Sequence, residues 1–439
     1  MHLCSLNVAD LIIPLWRGTF ACTLPDHRDT WSWAVFKDNT LWRNHGRTVA
    51  QAKSWLPGSF DRPPRNIAEK LNSGYKAIEF LTYLYGLGPA LLYGVLPSPY
   101  WEHFCKLVRG VRLLHQRTIT QDELAEGHQM LLAFCDDFEE LYYQRNPKRL
   151  HFCRPCIHSL AHIASETQKN GPYVVRSQWT LERTIGILGG QIRQDSDPYA
   201  NLAQRALRQC QVNALKHILP MLDPDPVHLP RGACDVGNGY VLLRYADRYP
   251  QHVDETQSAL IRAFATEYAV DASAEWLSRP RISRWARLRL PNGQIARAWK
   301  EKEKSSDRLR TSRNVKPMKI IHKQRKEYAE VHYYFQVLMC NGSLQAFAMI
   351  SIFEPPNIDL LNKSASTFWS CRHPGNVGLT IIPIQSIQSV VAVIPHPTIC
   401  FTNPTDVDYF QDRYYVVEKL GLDVDSLGGS NEEDEEDEN

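Results

Sequence analysis

Three groups of residues in this chain have types and spacings that could do chemistry. The first is the string Gln178-Trp179-Thr180-Leu181-Glu182-Arg183-Thr184-Ile185-Gly186. A carboxylate near the start of an amphipathic helix can project from a scaffold toward a divalent metal. The same placement suits an acid that favours the positive end of the helix dipole, with Arg183 beside it. The second group is Cys153 and Cys156 in a C-x-x-C spacing, followed by His158 and His162. Histidines at i and i+4 share one helix face, and the set invites a zinc reading. Only one residue separates Cys156 from His158, which is tight for a finger. A satisfied pair of histidines is therefore the expectation, and zinc is not expected. The third group lies in residues 279–326, where 17 Lys or Arg face only Glu301, Glu303 and Asp307. It includes Arg281, Arg284, Arg287, Arg289, Arg308, Arg310, Arg313, Lys316 and Lys319, with Trp285 and Trp299 interleaved. Such cations neutralise phosphates and release counterions, so DNA is the expected partner and these residues its expected contacts. A solvated linker carrying a nuclear localisation signal is the other reading, and the two are compatible. The nucleus is the expected location.

The elements that must position these groups follow from periodicity. Residues 1 to about 65 are rich in Trp, Pro and Gly and hold Trp16, Trp31, Trp33, Trp42 and Trp55. Residues 66 to about 220 read as mostly helical. Leu124, Met130, Leu131, Phe134, Phe138 and Leu141 recur near the 3.6-residue period after Thr120, Asp122 and Glu123 at a helix start. A further helix is expected from Trp179 to Arg193, with Leu181, Ile185, Leu188 and Ile192 on one side. Residues 235–244 suggest a loop leading into a strand, and a short helix is expected around residues 255–268. The runs Val331–Phe335, Ala346–Phe353, Thr380–Ile384, Ser389–Ile394 and Tyr414–Glu418 are β-branched or aromatic between turn signals, as strands are. Seven consecutive acids, Glu432 to Glu438, close the chain and read as a disordered tail. The expected division is residues 1–245, a helical and basic linker at 246–326, a small β-barrel-like domain at 327–423, and the acidic tail at 424–439.

Composition narrows the class. The chain has 439 residues, 43% of them apolar and 22% charged, enough for real cores in two or three domains. Eleven cysteines, an odd number, and an opening Met1-His2-Leu3 without signal-peptide character suit a reduced intracellular setting. The apolar stretch from Ala77 to Leu96 has the length of a membrane span, but Gly86-Leu87-Gly88-Pro89 at its centre should break one helix into two. Two buried helices with a turn are the expectation, and no membrane span. The chain has no G-x-x-x-x-G-K-[ST] loop and no G-x-S-x-G elbow, which argues against a P-loop ATPase and an α/β-hydrolase.

A series of strings, in order, resembles a known family. They are His2-Leu3 with Leu6-Asn7, Asp10-Leu11, Leu15-Trp16-Arg17-Gly18, Leu56-Pro57-Gly58-Ser59-Phe60, Pro64-Arg65-Asn66, Ser73-Gly74-Tyr75-Lys76-Ala77 and Gly86-Leu87-Gly88-Pro89. Cys105-Lys106-Leu107-Val108-Arg109-Gly110, Arg149-Leu150-His151-Phe152, Gln178 to Gly186 and Asn201-Leu202 follow. The set resembles fungal transposase-domain proteins of the CACTA (En/Spm) superfamily over roughly residues 1–245, and more loosely over 279–423. What the resemblance implies is a DDE enzyme: an RNase H-like core in which three acids hold two divalent ions that activate a nucleophile against a phosphodiester. The implied fold is α+β, a partial RNase H-like catalytic core with a large helical insertion and a small C-terminal β domain. Glu182 is the implied third acid and metal ligand, after the insertion. His2 falls on the histidine of the family's Asp-x-x-His pattern, whose aspartate would lie ahead of Met1. The expectation is a DNA-binding, transposase-derived chain that is catalytically incomplete, with magnesium bound only where the full acid set is present. The alternatives are a piece of an active enzyme or a nuclear scaffold. The C-terminal β module is expected to contact protein or DNA, and a homo-oligomer is compatible with the family.

Overall fold

The computed structural model describes residues 2–192, 196–222, 229–244, 247–298, 310–317, 327–373, 375–397 and 408–421. Arg308, Lys319, Trp299 and the acidic run at 432–438 lie outside them. The protein is mixed helix and sheet: among the described residues no strand precedes Cys234, and the strands follow from there onward.

The first part is a helical body organised on two antiparallel helices, Ser98–Leu114 and Gln121–Phe138. Thr120 caps the second in a reciprocal box with Glu123, accepting from the Glu123 N–H at 3.2 Å while the Glu123 carboxylate takes the Thr120 N–H at 2.9 Å. The two helices can approach closely because Gly110 and Gly127 face the seam. A Cβ on Gly110 would lie 2.6 Å from Leu131 Cγ. The Trp-rich opening supplies much of the core. Trp16, Trp31, Trp33 and Trp42 are all buried. Trp31 stacks on Trp33 with ring centroids 5.5 Å apart, and Trp16 Nε1 donates to Tyr142 Oη at 3.0 Å. A buried pair pins this layer: Arg149 Nη2 lies 2.6 Å from Asp26 Oδ1, and Trp31 Nε1 donates to Asp26 Oδ2 at 3.1 Å.

The apolar stretch from Ala77 to Leu96 differs from the expected two helices and a turn. Ala77–Leu81, a π-helical segment Thr82–Leu87 and Gly88–Leu91 follow one another without a break. Pro89 has no N–H to give to Tyr85 O. The wider π turn takes up the mismatch, and Arg112 fills the gap from the next helix. Its Nε donates to Tyr85 O at 2.7 Å and its Nη2 to Gly86 O at 3.1 Å. Among the described residues no helix is long and apolar enough to cross a membrane.

The β half is larger than the sequence suggests, and starts earlier. One sheet has the order β1 (Cys234–Asp235), β2 (Val241–Leu242), β5 (Arg287–Arg289), β6 (Ile295–Arg297). A second has the order β11 (Leu379–Pro383), β9 (Leu344–Ile352), β8 (Ala329–Leu338), β7 (Asn314–Pro317), β12 (Ile387–Val390). A third has β10 (Trp369–Arg372), β14 (Arg413–Val417) and β13 (Ala392–Pro395), and β3 (Gln251–His252) pairs with β4 (Arg281–Ile282). Every ladder among the described residues is antiparallel. So the described part of 279–326, for which a solvated linker was the other reading, contributes strands β4, β5, β6 and β7. Leu288, Ala296 and Val315 from its strands are fully buried in a core shared with Val331, Tyr334 and Ile350. A bulge between Val331 and Tyr333 switches the face of β8. Ala329 and Val331 point into that core, whereas Tyr333, Phe335 and Val337 point outward under the helix Glu255–Glu267.

The third sheet joins the two halves. On β14, Tyr415 and Val417 enter the core of the helical body, while Val416 faces a small cluster with Tyr328, Phe353 and Cys371. The strand period of two makes one short sheet the partner of both cores.

Candidate functional site

Among the described residues Glu182 belongs to no cluster of acids that could hold a metal. The helix Trp179–Gln191 is docked only at its start, where Trp179 packs against the helical body. Beyond it Glu182, Leu181, Ile185 and Ile187 are exposed. The following helix, Pro198–Ile218, buries no residue, and the two helices contact each other. His2 is exposed at the N-cap of the first helical turn. Among the described residues no three His, Cys, Asp or Glu side chains gather where they could hold a metal. A two-metal site needs several carboxylates to position the ions and offset their charge. Glu182 and His2 as placed do not fit one, and no step through magnesium follows from them.

The C-x-x-C pair divides. Cys153 is exposed, while Cys156 is buried and turns toward Asn7 O at 3.8 Å. His158 and His162 are exposed and bond each other, Nε2 to Nε2, at 2.9 Å. A buried Ser370 and His396 also stand 3.1 Å apart, Oγ to Nε2, a distance found in nucleophilic dyads. Yet the third member is Arg413, which donates from Nε to Ser370 Oγ at 3.1 Å. A cation there cannot orient or charge-stabilise an imidazolium. Burial pushes the His396 imidazole down to about 3. This trio joins β10, β13 and β14 rather than doing chemistry.

The basic residues fall into two sets. One set is spent inside the protein. Arg284 pairs with Asp247 at 2.8 Å, Arg313 with Glu330, and Lys316 with Glu418 at 2.9 Å. Arg310 donates to Pro57 O and Gly58 O at 3.2 Å and to Asp61 O at 3.1 Å, tying the β half to the helical body. Glu330 is held below the usual carboxylate range against the cost of its burial, first by His373, whose Nε2 is 2.7 Å away, and by Arg313. The other set is carried on strands. Arg287 and Arg289 flank buried Leu288 on β5, so both lie on the opposite face, where they are half-buried. Arg297 on β6 sits directly opposite Arg287 in the ladder. Arg281 is exposed on β4 and reaches His252 Nε2 at 3.0 Å.

Sequence reasoning missed a cleft of about 1060 Å³ where the halves meet. Its walls come from the end of the helix Ser98–Leu114, from β10, and from the segments after β9 and β14. Tyr328 and Trp369 stand edge to face in it, centroids 5.0 Å apart at 84°. The only local signal was the aromatic and Pro content of Tyr328, Phe353, Pro355, Pro356 and Trp369, scattered along the sequence and joined only by the fold. Comparison of the chain with family models, with curated proteins and with solved structures returns no match.

Proposed function

We propose that this chain is a transposase-derived DNA-binding protein that holds duplex DNA without cutting it. The observation that carries the binding is the arginine face of β5 and β6. Arg287 and Arg297 sit opposite each other on the ladder, with Arg289 next along the same face. Three arginines on one sheet face can meet successive phosphates of a duplex, each with a bidentate fork. Arg284, Arg310, Arg313 and Lys316 act as ties between elements, so the interface is narrower than charge counting suggests.

The transposase part of the reading rests on the resemblance of residues 1–245 to the CACTA superfamily. In it, the helical body corresponds to the insertion of an RNase H-like catalytic region, and Glu182 lies on the helix that follows. The isolated, exposed setting of Glu182 supports binding rather than strand transfer by this chain. The test is incubation with supercoiled plasmid and magnesium, alongside a gel-shift on a short duplex. Retarded duplex with intact plasmid is the expected result. Magnesium-dependent nicking that disappears in Glu182→Gln would overturn the non-cutting part.

A further inference from the structure

We infer that the helix Pro198–Ile218 is a seam along which two copies of this chain pair antiparallel. The helix has 21 residues and buries none of them. The side that is half-covered carries Leu202, Arg205, Ala206 and Lys216. The open side is the apolar one. Ala203, Leu207, Cys210, Ala214 and Ile218 are all exposed, Leu207 at 59% and Ile218 at 69%. Their spacings of four, three, four and four residues put them in one stripe along the helix. A half-covered basic side and an open apolar side reverse the arrangement of a helix on a monomer's surface, and such a stripe marks an interface.

The order of sizes along the stripe points to a second copy as the occupant. Ala203 and Ile218 lie equally far from the midpoint between Cys210 and Gln211, and so do Leu207 and Ala214. An antiparallel copy related by a two-fold axis through that midpoint sets each Ile218 against an Ala203 and each Leu207 against an Ala214. Every large side chain then meets a small one, which lets the axes close to the about 8–10 Å of packed helices. The contact is isologous, as a two-fold requires. Charge agrees with this. No Asp, Glu, Lys or Arg stands on the stripe, and Gln204, Gln211, Asn213 and His217 flank it. An acidic, basic or nucleic-acid partner finds no charge to pair with there, whereas a second copy brings no like charges together. The helix is about 31 Å long, which makes a seam at the small end of specific interfaces, so the dimer is a reversible one. The seam shares no residue with the arginine face on β5 and β6.

Sedimentation velocity of the full chain from about 1 to 100 μM tests this. The mass should rise from monomer to dimer with concentration. Leu207→Asp puts a charge in the seam and should weaken the dimer by at least about tenfold. Leu215→Asp, about 100° around the helix from Ala214, should leave it intact. Both leucines are exposed, and circular dichroism of each variant separates loss of the seam from loss of the fold. Ala203→Lys and Ile218→Glu should each weaken the dimer alone and restore it together, because opposite charges then face each other across the axis. Oxidation with copper phenanthroline should join Cys210 to its counterpart across the axis, and Cys210→Ser should remove that dimer band from a non-reducing gel. A chain that stays monomeric at every concentration would assign the stripe to a different partner and overturn the inference. A dimer unchanged in Leu207→Asp, or a charge pair that fails to restore it, would overturn it as well.

Discussion

At the scale of single residues, Arg112 joins the helical body to the β half. It supplies donors that Pro89 withholds from the π-helical turn and reaches Thr367 in the β half at 2.8 Å. Arg112→Ala would leave three carbonyls short of a donor, so a loss of about 3 kcal/mol or more is expected in urea unfolding. Unchanged stability would show that water replaces it. The buried histidines make a second prediction. Burial pushes His45 and His396 down to about 3, and His103 and His115 down to about 4. In the unfolded chain each takes up a proton near its ordinary value of 6.5. Below that pH the unfolded state binds more protons than the folded one, so stability present above about 6.5 is lost as pH falls toward 4. Thermal unfolding from pH 7.5 to 4.5 should show this fall, and a flat profile would contradict the neutral, buried state of these rings.

At the scale of elements, much of the β half was legible, and the reason for the rest is physical. β8, β9, β11 and β14 were readable because both of their faces are covered, which makes continuous apolar and aromatic runs. β5, β6 and β7 were hidden. In Arg287-Leu288-Arg289 and Ile295-Ala296-Arg297 only the central residue is fully buried, and the surrounding charge hid a two-residue alternation. The helix over 179–191 was legible as a helix, and on its apolar side Leu181 and Ile185 are exposed while Leu188 and Ile192 are half-buried. The strings that carry the family resemblance mostly hold elements together here. Arg65 grips buried Glu79 at 2.7 Å, and Arg149 grips Asp26. Ile185→Asp and Leu215→Asp should therefore cost less than about 0.5 kcal/mol. Leu107→Ala in the buried central helix should cost about 2 to 5 kcal/mol. Comparable losses at all three positions would mean the paired helices are packed in solution.

At the scale of the whole molecule, a helical body and a β half share one short sheet, and the described cations are divided between ties and a strand face. Sequence charge located the basic region but could not divide it, because ion-pair partners such as Asp247, Glu330 and Glu418 are brought in by the tertiary fold. Binding of duplex DNA through Arg287, Arg289 and Arg297 is the central claim. The most direct test is fluorescence anisotropy of a labelled duplex at a series of salt concentrations, for the wild-type chain and for the triple variant R287A/R289A/R297A. Each lost phosphate contact should flatten the plot of log affinity against log salt by about 0.9, so the variant's slope should be shallower by about 2 to 3. The same slope and affinity in both proteins would contradict the account.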